Sequence, residues 1–183
     1  MKIVTINGSP RKNGCSEKLI GKIVEGVKEV GGEITSFMPN KMKIKGCQSC
    51  MACRKDNICV IKDDMVDIYE AIEDADVVVV GVPIYFHEMS AQLKMVFDRF
   101  YSYTRMDSNF KFSSTMKKGK KCVLVVSHGN HDENVYKEYA KSLEGKFKHV
   151  GFEEVEIFIA NDSMSEHPEY LEACYEIGKN LKA

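Results

Sequence analysis

Residues 77–83 read Val-Val-Val-Val-Gly-Val-Pro, an apolar run with no alternation. A strand with one wet face alternates apolar and polar side chains. This one does not, so both of its faces are covered, as at the centre of a parallel sheet clad by helices. Parallel neighbours cannot be joined by hairpins, so the rest of the chain must supply crossovers. It does so. Ile3, Val4 and Ile6 form a first strand, and Leu19, Ile20, Ile23, Val24, Val27 and Val30 follow at helical spacing until Gly31-Gly32. A second strand is expected over Glu33–Met38, and a second helix from Asp63-Asp64, which suit an N-cap and first turn. A third helix starts near Ser90 with Leu93, Val96, Phe97 and Phe100 on one side. A fourth strand covers Lys121–Ser127, a fourth helix Glu133–Val150, a fifth strand Glu153–Ile159, and a fifth helix runs from Pro168 to the C-terminus. Right-handed crossovers arrange five strands and five helices as an α/β sandwich. Its five-stranded parallel sheet, order 2-1-3-4-5, has helices on both faces.

A chain of 183 residues is one domain by default, here 1–183, with no linker or internal repeat and a cysteine-rich insert at 41–62. Net charge is −1, which gives no reason to expect a nucleic-acid partner. No apolar run approaches the roughly 18 residues of a membrane span. Seven cysteines in a chain that opens directly into a strand, with no export signal, point to the cytoplasm and to thiols or metal ligands rather than disulfides. Lys117, Lys118, Lys120 and Lys121 read as a solvated approach to the fourth strand.

The first sixteen residues, MKIVTINGSPRKNGCS, form a strand, a polar loop and a helix start. Glycines let backbone approach closely, Ser9 and Ser16 offer hydroxyls, Arg11 adds a cation, and the helix N-terminus favours an anion. A bound phosphate suits this loop better than an empty turn. It is not a Walker loop, since Gly8 and Gly14 are one residue too far apart and Cys15 stands where lysine belongs. The dinucleotide pattern G-x-G-x-x-G and the C-x5-R phosphatase loop are both absent. What remains, G-S-P-R-x-x-G-x-S, resembles the FMN-phosphate loop of the flavodoxin-like NAD(P)H-dependent FMN reductases. The resemblance implies that Ser9, Arg11, Asn13, Gly14, Cys15 and Ser16 hold a monoester phosphate, with Cys15 a small packing residue.

Two more loops belong at the carboxyl ends of the central strands, where such folds bind ligands. The segment PIYFHEMSAQLKMVFDRF, from Pro83, is similar to the P-x-Y-x…S-A-x-x-K…x-D-R stretch of the same family. By that likeness Pro83, Ile84, Tyr85 and Phe86 contact the flavin ring, and His87 narrows the acceptor pocket. Independently, a flat aromatic cofactor needs apolar and aromatic cover. Asp98 and Arg99 read as a structural pair at a helix end. Ser127, Gly129 and Asn130 are expected on the pyrimidine side, while His128 and His131 face either the site or solvent. The likeness spans about 130 residues and implies the flavodoxin-like sandwich. No side chain need act as acid, base or nucleophile, because hydride transfer runs through flavin N5.

Cys47, Cys50, Cys53 and Cys59 form C-x2-C-x2-C-x5-C. Compact spacing with a trailing cysteine favours a 4Fe–4S cluster. Zinc, which more often uses two split pairs, and metal-free thiols stand as alternatives. The insert resembles the cluster motif of iron–sulfur flavoproteins, a branch of the same family in which the cluster passes electrons from a ferredoxin-like donor to FMN. Val60 follows the last cysteine where ferredoxins have proline. Cys122 and Cys174 read as inert core residues.

These features together lead to the expectation of an FMN-dependent oxidoreductase. It would move electrons between NAD(P)H or a ferredoxin-like donor and a small acceptor such as a quinone or flavin. The rival readings are a flavodoxin-type carrier, disfavoured by the near-neutral charge and the cysteine insert, and a metal- or thiol-based redox sensor without flavin. The family likeness implies a homodimer or homotetramer, with the aperiodic stretch 101–116 reaching a neighbour's site.

Overall fold

The computed structural model describes residues 1–132, 134–161 and 164–182. The sheet contains β1 (Lys2–Asn7), β2 (Glu33–Phe37), β3 (Val77–Tyr85), β7 (Lys121–His128) and β8 (Glu154–Asn161). These five strands are parallel in the order β2-β1-β3-β7-β8, which is the expected 2-1-3-4-5 topology. The valine run sits between β1 and β7 and is buried from Val77 through Ile84.

Alternate side chains feed two cores. Val4, Ile6, Val78, Val80, Val82, Leu124 and Val126 pack with α3 (Met65–Asp74), α4 (Ala91–Arg99) and α5 (Lys137–Val150). Ile3, Val77, Val79, Val123 and Val125 pack with α1 (Cys15–Glu29) and α6 (Pro168–Asn180). Helices α1 and α6 approach very closely. A Cβ at Gly26 would sit 2.1 Å from the Tyr175 carbonyl, and one at Gly178 2.1 Å from that of Ile23. Among the described residues, no helix is long and apolar enough to cross a membrane.

The structure departs from the sequence expectations at several points. Strand β3 continues to Tyr85 and folds back through Phe86-His87 into the two-residue antiparallel β4 (Glu88–Met89). Residues 101–116 are not a plain loop. They contain a 3-10 turn over Phe100–Tyr103 and a hairpin of β5 (Thr104–Met106) and β6 (Phe112–Ser114). Helix α5 begins at Lys137; Glu133, its expected first residue, lies outside the described residues.

Lys120 is not a solvated cation like Lys117 and Lys118. It is 2% exposed, and its Nζ donates to the carbonyls of Glu73 at 2.8 Å and Ala75 at 2.7 Å. It thus serves the last carbonyls of α3, where a cation meets the negative end of the helix dipole. Arg99 does not pair with its neighbour Asp98, which bonds Lys94 instead. It is buried against Asp63, because a side chain on the inner face of α4 cannot reach the solvent-facing Asp98.

Candidate functional site

The first loop leaves β1 beside the switch point between β1 and β3. Asn7 Oδ1 accepts the Ser9 amide at 3.0 Å, and Ser9 Oγ accepts the Arg11 amide at 3.2 Å. The Gly8 amide donates to Gly81 at 3.0 Å. A Cβ on Gly8 would stand 2.7 Å from both the Gly81 carbonyl and Leu93 Cβ, so the close approach requires glycine. Asn13 takes a positive φ of 56°, its amide bonds Glu17, and α1 then opens from Gly14 with no side-chain cap. This leaves a helix N-terminus facing the loop, a setting that favours an anion.

Two hydroxyl contacts join the loops. Ser90 Oγ donates to the Gly8 carbonyl at 2.6 Å, and Ser16 Oγ lies 2.7 Å from Ser127 Oγ. The resulting cavity, about 240 Å³, is lined by Ser9, Arg11, Gly14, Cys15, Ser16, Pro83, Ile84, Tyr85, Ser127, His128 and Gly129. Three segments remote in sequence therefore meet at the carboxyl ends of β1, β3 and β7. Of the residues expected there, Asn13, Phe86 and Asn130 do not line it. Asn13 shapes the turn.

Phe86 is 98% exposed at the hairpin tip, and both it and His87 have positive φ, 48° and 70°. Two positive φ values are what a tight type I′ hairpin turn demands, and bulky residues adopt them at a cost. The turn follows directly on Tyr85, which lines the cavity.

His128, which the sequence left between site and solvent, is buried and lines the cavity. Its ring packs on Tyr136 at 5.0 Å, and Tyr136 in turn bonds His87 Nδ1 at 3.4 Å. Strand β7 runs one residue past its expected end at Ser127, and this carries His128 into the sheet. His131 is exposed.

The cysteine stretch forms a second site. It holds the four-residue α2 (Cys53–Asp56) and is otherwise irregular. Cys47, Cys50, Cys53 and Cys59 are free thiols and all line one cavity of about 680 Å³. The opposite walls are Phe97 of α4, Tyr101 just after that helix, and Lys146, His149 and Val150 on α5. Burial pushes the Cys53 thiol up, and the charges of Cys59, Cys47 and Cys50 add to the rise.

Ser49 and Met51 have positive φ on either side of Cys50, and the Ser49 amide points at Cys47 Sγ, 3.5 Å away. Backbone amides turned inward by such conformations suit anionic ligands, including iron–sulfur groups. Among the described residues, no three His, Cys, Asp or Glu side chains are gathered tightly enough for a single metal ion. A four-iron cluster takes one thiolate per iron, so its ligands stand wider apart. The donor set and the inward amide fit such a cluster. Cys122 and Cys174 are core residues, and burial pushes the Cys174 thiol up to about 12.

An iron–sulfur flavoprotein of Methanosarcina thermophila is 44% identical over 99 residues, 54% of this chain and 52% of that protein. One from Archaeoglobus fulgidus is 39% identical over 108 residues, 59% of this chain and 55% of its own length. The chain thus spans about half the length of the curated relatives it matches. An NAD(P)H:quinone oxidoreductase from Methanothermobacter marburgensis superposes with a TM-score of 0.78 at 18% identity, covering 100% of this chain and 99% of that one. The profile of NADPH-dependent FMN reductases matches residues 1–135. By that match, over the segment that builds all three cavity loops, the chain belongs to the NADPH-dependent FMN reductase family.

Proposed function

We propose that this chain is an FMN-dependent oxidoreductase of the iron–sulfur flavoprotein kind. It would take electrons from NAD(P)H or a ferredoxin-like protein and deliver them to a small acceptor such as a quinone or flavin. The observation that carries this reading is the convergence of the three strand-end loops, fastened by Ser90 to Gly8 and by Ser16 to Ser127. Ser9, Arg11, Ser16 and the opening amides of α1 would hold the phosphate. A cavity of 240 Å³ is smaller than most cofactor pockets, which run from about 300 Å³ upward. Its Ser9–Ser16 end suits the phosphate, and the ring would extend outward from its Pro83–Tyr85 wall past the half-exposed Tyr85, with Phe86 at the rim. When bound, FMN supplies hydride and electron transfer at ring N5. The protein's part is to orient the ring, and to set its hydrogen bonding through Ser127, Gly129 and the neighbouring His128.

Cys47, Cys50, Cys53 and Cys59 would hold a 4Fe–4S cluster, which supplies one-electron transfer from a protein donor. The β5–β6 hairpin leaves Phe110 and Phe112 exposed, at 78% and 45%, which supports its use as an arm onto a second copy in a homodimer or homotetramer.

The test is an anaerobic absorption spectrum of the purified chain, with flavin, iron and acid-labile sulfide assayed on the same sample. One flavin with about four irons per chain is expected. Flavin without iron, after anaerobic reconstitution, overturns the cluster. No flavin after incubation with FMN overturns the whole reading. Light scattering that finds only monomer overturns the assembly.

A further inference from the structure

Arg99 ends α4 with its side chain fully buried. Its guanidinium spans the neck of the cysteine loop. Nη1 donates to the Lys45 carbonyl at 2.9 Å and to Asp63 Oδ2 at 3.0 Å. Nη2 donates to the Ile61 carbonyl at 3.2 Å and to Asp63 Oδ1 at 3.3 Å. Lys45 leads into the loop; Ile61 and Asp63 lead out. All four thiols lie between them. Asp63 ties the neck from the other side, accepting the amides of Lys45 at 2.9 Å and Met65 at 3.1 Å. Beside it, Asp64 accepts the Lys43 amide at 2.7 Å.

A buried ion pair is a poor device for stability alone, since apolar residues of similar volume often serve as well. What apolar residues cannot do is bind carbonyls from both ends of a loop at once. The rigid fork of arginine can, and the point charge of lysine cannot. The other end of the same helix carries Ser90, bonded to Gly8 in the phosphate loop. Nine residues of helix, roughly 14 Å, therefore connect the phosphate loop to the neck of the cysteine loop.

We infer that Arg99 is a positioning residue: it closes the cysteine loop at its neck and fixes it to α4, so that the four thiols face one cavity before any metal arrives. The inference rests on the reading of that loop as a metal-cluster site. Exposed contacts further along, from Arg54 to Tyr101 Oη at 2.9 Å and from Arg105 to Asn57 Oδ1 at 2.8 Å, steady the loop's far end but do not close it.

The test uses the full chain carrying Arg99→Met with Asp63→Asn, which removes both charges while leaving an oxygen for the Lys45 or Met65 amide. Flavin content reports folding. Two rates report the clamp. In metal-free protein, labelling of Cys53 and Cys59 by a maleimide, followed by mass spectrometry, should quicken about tenfold or more. In reconstituted protein, iron should pass to a chelator faster, by about 10- to 100-fold if the affinity loss typical of removing a supporting residue behind metal ligands falls on the release rate. Wild-type rates in a variant that keeps its flavin overturn the inference. Should the double variant not fold, Arg99→Lys keeps the charge and drops the fork; quickened rates support the clamp and unchanged rates overturn it. If wild-type protein takes up no iron, the cluster reading fails separately, and the labelling rate alone judges the clamp.

Discussion

The Ser90 hydroxyl donates to the Gly8 carbonyl at 2.6 Å and accepts the Leu93 amide at 3.3 Å, so one side chain caps α4 and anchors the phosphate loop. Ser90→Ala removes both bonds. Losing an N-cap costs about 1 kcal/mol, and a buried carbonyl left unpaired costs about 1–3 kcal/mol more. A drop of roughly 2–4 kcal/mol in urea unfolding is expected, together with weaker FMN binding in titrations of flavin-free protein. Unchanged stability would show that water replaces the hydroxyl.

Gly8→Ala tests the contact between β1 and β3 where they diverge. The added methyl would meet the Gly81 carbonyl and Leu93 Cβ at 2.7 Å, and Gly81 is backbone in a central strand that cannot yield. Overpacking of this kind costs about 1–3 kcal/mol. Because the displaced residue is the first of the phosphate loop, flavin retention through gel filtration should fall more than the unfolding midpoint does. Wild-type retention would mean that the loop tolerates the shift.

How far the sequence reveals this protein depends on whether a signal is local. Val77–Val82 announced a central parallel strand because burial on both faces abolishes alternation, and the strand–loop–helix junction over the first sixteen residues showed itself by residue type and spacing. Lys120 and Arg99 were misread for one shared reason. Each is a charged residue whose partners, the carbonyls of Glu73 and Ala75 or those of Lys45 and Ile61, lie far off in sequence. The β5–β6 hairpin was missed because its three-residue strands are too short to show a period. Phe86 gave an aromatic signal, but its positive φ and exposure follow from pairing between Tyr85 and Glu88 that no local pattern encodes.

Arg11 offers a test of whether the cavity is a phosphate site or a general flavin cleft. It lines the cavity beside Ser9 and Ser16, whereas the residues expected at the ring come from the other two loops. Arg11→Ala should weaken FMN about tenfold, the loss of one hydrogen bond to a charged group, and leave riboflavin, which lacks the phosphate, unchanged. Equal losses for the two ligands in fluorescence titrations would place Arg11 elsewhere.

The Arg99–Asp63 pair sets an acid limit on stability. Burial acts to raise the Asp63 carboxyl, but hydrogen bonds from Arg99 and from the amides of Lys45 and Met65 outweigh it and hold the group below its ordinary value. A carboxylate depressed in the fold binds fewer protons there than in the unfolded chain, so its contribution is fully present above about 3.9, the unfolded value. That contribution is lost as pH falls through the lower native value. Asp63→Asn leaves Arg99 buried without its counter-charge, at a cost of about 3–5 kcal/mol near neutrality. As pH falls below about 4, the unfolded chain protonates this carboxyl before the native protein does, so the gap in urea midpoints between the two proteins should narrow until the lower native value is passed. A gap that stays constant from pH 7 to about 3 would show that Asp63 holds Arg99 by shape and hydrogen bonding, with its charge contributing nothing.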